Sequence, residues 1–267
     1  MSKVVISDLD GTLLNHHHQI SPKTLKTIRK LVEQGHKFVV ATGRHQIDVR
    51  SIRDALGLDI YLVTSNGSVV TDKQDNVVFN HTLPSQIAQE LSEFPLPSTE
   101  IAVNIYTPDN WYTNKAMPEY LDFHKDSGFC YVQTDLVALD KSAVNKYFFI
   151  AEHEVLLDLE TALLEKYTGQ LTIAFSLPDC LEVMPLGVNK GEAIRFILEQ
   201  NHVSLDDAIA FGDGMNDYEM LKIVGHGVVM GNAHDRLKNA LPDLPRAGIN
   251  DEDGVAEYLL KTLLKGC

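Results

Sequence analysis

The sequence predicts an α/β fold in which a parallel sheet flanked by helices is interrupted by a second, α+β domain. Three observations carry this. Apolar runs alternate with helix-patterned segments at the start of the chain; the same alternation returns towards its end; and residues 84–186 between them have a different texture. Repeated strand–helix–strand units imply parallel strands with helices on both faces.

The elements follow in order. KVVISDLD is a strand, and SPKTLKTIRKLVEQG is a helix in which Leu25, Ile28, Leu31 and Val32 recur at helical spacing. Ser21 and Pro22 suit its N-cap and first turn, and Gly35 its stop. KFVVATGR is a second strand ending at Thr42-Gly43, VRSIRDALG a second helix, and YLVTSNG a third strand ending at Asn66-Gly67. Late in the chain, Asn189 to Gln200 is a helix, DAIAFGDG a strand, DYEMLKIVG a helix and HGVVMG a short strand, with a last helix at VAEYLLKTLL. The middle segment offers strands at IAVNIY, KYFFIAE, LTIAFS and CLEVMP, and helices around 85–93, 117–127 and 154–166. Pro84 on entry and Pro185-Leu186-Gly187 on exit punctuate it as an insertion, so residues 1–83 and 187–267 form one domain and 84–186 another.

Composition bounds the function. Of 267 residues, 44% are hydrophobic and 22% charged, enough for a sizeable core. A net charge of −14 disfavours nucleic acid and anionic membrane as partners, because both need clustered Lys and Arg. A small anionic substrate needs only a local positive pocket. Cys130, Cys180 and Cys267 are odd in number and far apart, which gives neither a disulfide framework nor a CxxC metal site. With no signal-like N-terminus and no apolar run of about 18 residues, the expectation is a reduced, cytoplasmic protein.

In a parallel sheet, all strand carboxyl ends lie along one edge. That edge collects Asp8 and Asp10, Thr42, and Asp213 with Asn216 and Asp217 just beyond; Lys190 opens a helix able to lean over it. Crowded carboxylates repel one another and call for a hard cation, and oxygen ligands suit Mg²⁺. These groups fit phosphoryl transfer. Asp8 can attack phosphorus; Lys190 and the metal can neutralise charge on the equatorial oxygens; the Thr42 hydroxyl and Gly43 amide can donate to them. Asp10, two residues on, is near enough to protonate a leaving oxygen and later deprotonate water. Residues two apart on a strand share a face, although the turn at Gly11 must re-aim the second aspartate.

DLDGT at 8–12, ATGR at 41–44, VNKG at 188–191 and GDGMND at 212–217 resemble, in the right order, the four motifs of the haloacid dehalogenase (HAD) superfamily. The segment between the second and third motifs resembles the C2-type cap of its Cof-type phosphatases. The resemblance covers essentially the whole chain, TSNG at 64–67 and NDEDGVA at 250–256 included. ATGRHQIDVRSIRD, CLEVMPLGVNKG and AFGDGMNDYEML most resemble bacterial pyridoxal phosphate phosphatases that also accept sugar phosphates. The resemblance implies a Rossmann-like core with an inserted cap closing over small phosphorylated metabolites, such as pyridoxal 5′-phosphate and hexose 6-phosphates (glucose 6-phosphate among them). It implies Asp8 as nucleophile and metal ligand, and Asp10 as general acid/base with its main-chain carbonyl on the metal. By the same resemblance Asp213 would complete the protein ligands and Asp217 would support the metal. The Leu9 amide, Thr42, Gly43, Lys190 and Asn216 would hold the phosphoryl group. Arg44, His45 and Asn66 are expected to stand close to the substrate or behind these groups.

Two rival readings use the same residues. A phosphomutase would return the phosphoryl group to a sugar. A non-catalytic receiver-like module would carry an Asp, a Thr and a Lys, but neither an insertion of this size nor a second aspartate two residues after the first. Other features have ordinary readings: His16-His17-His18 as a solvated loop, Asp251–Asp253 as carboxylates at a helix N-terminus, Cys180 as a packed thiol. Glu182 is either a contact at the cap hinge or an outward strand position. Trp111 and Tyr112 are core residues or a stacking surface for a planar ring.

Overall fold

The computed structural model describes residues 2–118 and 127–264. In chain order the elements are β1 (Val4–Ser7), α1 (Pro22–Glu33), β2 (Lys37–Ala41), α2 (Gln46–Leu56), β3 (Tyr61–Thr64), β4 (Val69–Thr71), β5 (Val77–Asn80), α3 (Ser85–Ser92), β6 (Ala102–Tyr106), β7 (Trp111–Thr113) and β8 (Tyr131–Gln133). There follow β9 (Lys146–Ile150), α4 (His153–Lys166), β10 (Leu171–Leu177), β11 (Cys180–Pro185), α5 (Lys190–Gln200), β12 (Ala208–Gly212), α6 (Tyr218–Ile223), β13 (His226–Val229), α7 (Asp235–Ala240) and α8 (Gly254–Thr262).

Two sheets result. The larger has the order β13-β12-β1-β2-β3-β4-β5. Its strands are parallel from β13 to β3, and β4 and β5 close it as an antiparallel hairpin. Parallel strands covered on both faces must be apolar throughout, and VVIS, FVVA and AIAFG are buried at every position. Helix α1 starts as expected: the Ser21 hydroxyl accepts from Thr24 N–H at 3.0 Å with Pro22 behind it, and Ile28 and Leu31 are buried against the sheet. Asp253 receives the Ser21 and Thr24 hydroxyls, so that carboxylate ties two helix starts together.

The second sheet has the order β10-β11-β9-β6-β7-β8 and is formed by the inserted segment. Its strands alternate. Val103, Ile105, Tyr147, Phe149, Leu181 and Val183 pack with Leu91 of α3 and Leu156, Leu159 and Leu163 of α4. The in-between residues Tyr106, Lys146, Phe148 and Glu182 look the other way, towards the carboxyl edge of the large sheet. The architecture is the expected Rossmann-like core with an inserted α+β cap.

The short strands β4, β5, β7 and β8 were not anticipated, because runs of three or four residues carry too little alternation to read. The helix expected around 117–127 falls largely outside the described residues. Among the described residues, no helix is long and apolar enough to cross a membrane, and Cys130 and Cys180 are free thiols.

Candidate active site

Asp8 follows β1, Thr42 follows β2, Asn66 lies just past β3 and Asp213 follows β12, so parallel pairing alone brings them to one edge. After Asp8 the chain makes a wide turn closed by Leu14 N–H donating to the Leu9 carbonyl at 2.9 Å. Gly11 in that turn has φ +75°, and a Cβ there would overlap the Asp213 carboxylate; only glycine fits on both counts. The turn also delivers the Thr12 hydroxyl, which donates to Asp213 Oδ1 at 2.7 Å.

Lys190, 0% exposed, opens α5 behind the Asn189 cap and donates from Nζ to Asp8 Oδ1 and to Asp217 Oδ1, both at 2.7 Å. Asp217 Oδ2 accepts from the amides of Asp213 at 2.9 Å and Gly214 at 3.0 Å. With both oxygens engaged, Asp217 holds the lysine and the loop in place. Asp8, Asp213 and Asp217 present carboxylate oxygens within 4.8 Å of one another. Among the described residues neither Asp8 Oδ2 nor Asp213 Oδ2 accepts a hydrogen bond.

Three carboxylates around one ammonium leave the cluster short of positive charge. Burial raises the Asp8 carboxyl well above its usual range; Lys190 opposes this and Asp217 and Asp213 add to it. Burial, then Asp217, pushes Asp213 up to about 7. Burial works against the Lys190 ammonium, but Asp217 and Asp8 outweigh it and keep the lysine charged. An all-oxygen donor set that holds protons so tightly fits a hard divalent cation in their place.

Asp10 is re-aimed by the turn. Its carboxylate does not join the cluster; Arg44 donates to it from Nε at 2.8 Å and from Nη2 at 2.6 Å, while Arg44 Nη1 holds Asp48 at 3.2 Å. His18 Nδ1 lies 3.6 Å from Asp10 Oδ1, which places one histidine of the solvated triplet beside the site. Burial raises the Asp10 carboxyl, yet the Arg44 charge and hydrogen bonds, with His18, prevail and hold it far below the usual carboxylate range. The side-chain cluster is therefore Asp8, Asp213 and Asp217, where the sequence suggests Asp8, Asp10 and Asp213 as the metal ligands.

Thr42 and Gly43 border a cleft lined also by Asp8, Asp10, Arg44 and Asn216 from the core and by Tyr106, Trp111, Lys146, Phe148 and Glu182 from the cap. The cleft spans about 750 Å³, part of it open to solvent. Asn66, with φ +56°, accepts from Asn216 Nδ2 at 2.9 Å and donates to Glu182. Leu9 is fully buried beneath the turn. His45 does not line the cleft: it caps α2, accepting from Ile47 N–H at 3.2 Å, and its Nε2 donates to the Thr107 carbonyl of the cap at 2.8 Å. Cys180 does reach the cleft, where burial and then Glu182 push its thiol up to about 12 and keep it neutral.

A model of haloacid dehalogenase-like hydrolases matches residues 5–259. The chain belongs to the haloacid dehalogenase-like hydrolase family. A Haemophilus influenzae protein is 41% identical over 259 residues, covering 96% of this chain and 95% of that one. The HMP-PP phosphatase of Yersinia pseudotuberculosis serotype O:3 is 38% identical over 259 residues, covering 97% and 94%. A Bacillus subtilis haloacid dehalogenase-like hydrolase superposes with a TM-score of 0.86 at 28% identity over 98% of this chain and 99% of that one. As a member of this hydrolase family with a clustered carboxylate site, the chain is an enzyme.

Sequence reasoning did not find Lys146, Tyr106 or Phe148 and left Glu182 open. One signal was present: a lysine at the head of the apolar run KYFFI is out of place on a covered strand unless something pairs with it.

Proposed function

We propose that this HAD hydrolase is a Mg²⁺-dependent phosphomonoesterase that passes the phosphoryl group through Asp8. The observation that carries this reading is the Lys190 bridge between Asp8 and Asp217, 2.7 Å to each, beside Asp213, with Asp8 lining the cleft. The Asp8 and Asp213 carboxylates, with the Asp10 carbonyl, would hold the ion. Bound there, Mg²⁺ supplies the positive charge that keeps Asp8 ionised and offsets the charge of the transferring group.

Asp8 attacks phosphorus, the bond to the ester oxygen breaks, and an aspartyl phosphate forms. Lys190, the Thr42 hydroxyl, the Leu9 and Gly43 amides and the Asn216 amide receive the phosphoryl oxygens. Thr42 Oγ1 already accepts from Arg44 N–H at 3.1 Å, which leaves its proton free to face the cleft. Asp10, held ionised by Arg44, is in the form that draws a proton from the hydrolytic water; to protonate the leaving oxygen it must first let go of Arg44 and take up a proton from solvent, which it then passes to that oxygen.

Residues 84–186 act as the cap that selects the leaving group, over a catalytic core of 1–83 and 187–267. Tyr106, Trp111 and Phe148 give the cap side of the cleft an aromatic wall. That supports a planar-ring substrate such as pyridoxal 5′-phosphate ahead of glucose 6-phosphate and other hexose 6-phosphates; the HMP-PP of the Yersinia relative is a further candidate, on sequence similarity.

The test is phosphate release from a panel of these compounds with and without Mg²⁺, followed by trapping of the phosphoenzyme. Metal-dependent release with a label on Asp8 is expected. Hydrolysis at full rate with no adduct at position 8 overturns the mechanism.

A further inference from the structure

We propose that Lys146 and Glu182 are positioning residues that fasten the cap sheet to the phosphate-holding turn, so that this turn is complete only with the cap seated. The inference deepens the phosphatase reading and rests on it for the role of Thr42-Gly43.

Glu182 stands opposite Phe148 across β9 and β11, and Lys146, two residues before Phe148, shares its face. Their side chains are 3% and 4% exposed and meet at 2.8 Å. Each also crosses into the core. Lys146 Nζ donates to the Gly43 carbonyl at 2.7 Å, and Glu182 accepts from Asn66, which accepts from Asn216 Nδ2 at 2.9 Å. One continuous path of hydrogen bonds thus runs Asn216–Asn66–Glu182–Lys146–Gly43. It starts and finishes at residues assigned to the phosphoryl group. The ammonium has little freedom, lying 4.9 Å from the Tyr106 ring centre and 5.0 Å from that of Phe148. Gly43 is fitted to the pair: a Cβ there would sit 3.1 Å from Glu182 Oε1.

The ordinary alternative is a buried ion pair kept for stability. Such pairs recover little more than their own desolvation, and apolar side chains of similar volume do as well. Stability alone gives no reason for both partners to reach out of the cap to the two ends of the phosphate cradle. Lifting the cap sheet breaks the bonds to Gly43 and Asn66 together, which frees the Gly43 peptide and leaves Asn66, the residue that holds the Asn216 amide, without its own anchor. Seating the leaving group against the aromatic wall then restores both, which couples leaving-group recognition to the chemical step.

The variants are Lys146→Met, Glu182→Gln, their double, and Lys146→Arg, each in the full chain with Mg²⁺. Binding of inorganic phosphate is followed by calorimetry, and turnover on a ring-bearing phosphate ester in parallel. Lys146→Met is expected to weaken phosphate binding and to lower kcat rather than raise KM, each on the order of tenfold or more. The double variant should be no worse than the single ones, and Lys146→Arg should recover part of the loss. Phosphate binding and kcat within about twofold of wild type in a folded variant overturn the proposal, as does a fall in melting temperature with no change in either. If Lys146→Met does not fold, Glu182→Gln, which keeps shape and removes charge, decides in the same way. A wild type that binds phosphate yet hydrolyses none of the panel sinks the phosphatase reading, while the phosphate titration still judges the pair.

Discussion

Arg44 grips the Asp10 carboxylate with two hydrogen bonds, Nε to Oδ2 at 2.8 Å and Nη2 to Oδ1 at 2.6 Å, and so separates it from the Asp8 cluster two residues away. The two aspartates, two residues apart in one motif, live in opposite surroundings. Asp8 sits among carboxylates, and Asp10 faces a guanidinium.

That difference predicts different losses. Asp8→Asn should abolish turnover on every substrate. Asp10→Asn should slow poor leaving groups by about 10²–10⁴-fold and good ones less in the first half-reaction, so that phosphoenzyme accumulates. Rapid-quench measurement on a nitrophenyl ester reads both, and equal loss in the two variants argues against the division of roles.

Metal should stabilise the fold through the same cluster. Mg²⁺ should raise the melting temperature by several degrees and EDTA should remove the gain. Because Asp213 is pushed up to about 7, protons compete with the ion near neutrality, so the gain should be larger at pH 8 than at pH 6. Asp213→Asn should abolish it. Differential scanning calorimetry with and without the ion makes the comparison.

Gly11→Ala tests how tightly the first turn is fitted. The added Cβ meets the Asp213 carboxylate and the position requires φ +75°. A destabilisation of about 1–2 kcal/mol from backbone strain is expected. A fall of about 10²-fold in kcat should accompany it, because a displacement of an ångström or so is enough. Chemical denaturation and steady-state kinetics separate the two effects.

His45 gives the fold a pH dependence on the acid side. Burial holds its imidazole down to about 4 from an ordinary 6.5, although the Thr107 carbonyl favours the protonated ring. A histidine buried neutral contributes stability that is complete above pH 6.5 and fades as pH falls towards 4, where it must take up a proton. The loss is on the order of 3 kcal/mol between pH 7 and pH 4. Denaturation of wild type and His45→Gln should show a shallower acid slope for the variant.

The core site was legible because its logic is local. Each strand of the parallel sheet is an apolar run, each run stops at a polar residue, and sheet geometry alone carries Asp8, Thr42, Asn66 and Asp213 to one edge. The re-aiming of Asp10 was half legible, since Gly11 announced a turn but its partner, Arg44, lies 34 residues on. The cap was harder. Its strands are short, its order β10-β11-β9-β6-β7-β8 follows no simple crossover rule, and Lys146 and Glu182 lie 36 residues apart. Without strand register nothing shows that the two face the same way. The aspartates at 251 and 253 turned out to be structural, accepting from His16 N–H and from the hydroxyls of Ser21 and Thr24.

The pairing of β1 with β12, which sets Ser7 beside Phe211, has a temporal consequence. The strand that carries Asp8 leaves the ribosome well before its neighbour β12; the ammonium that holds Asp8 is 182 residues behind it. A nascent chain therefore carries Asp8 without its ammonium partner until the segment bearing Lys190 and β12 has been made.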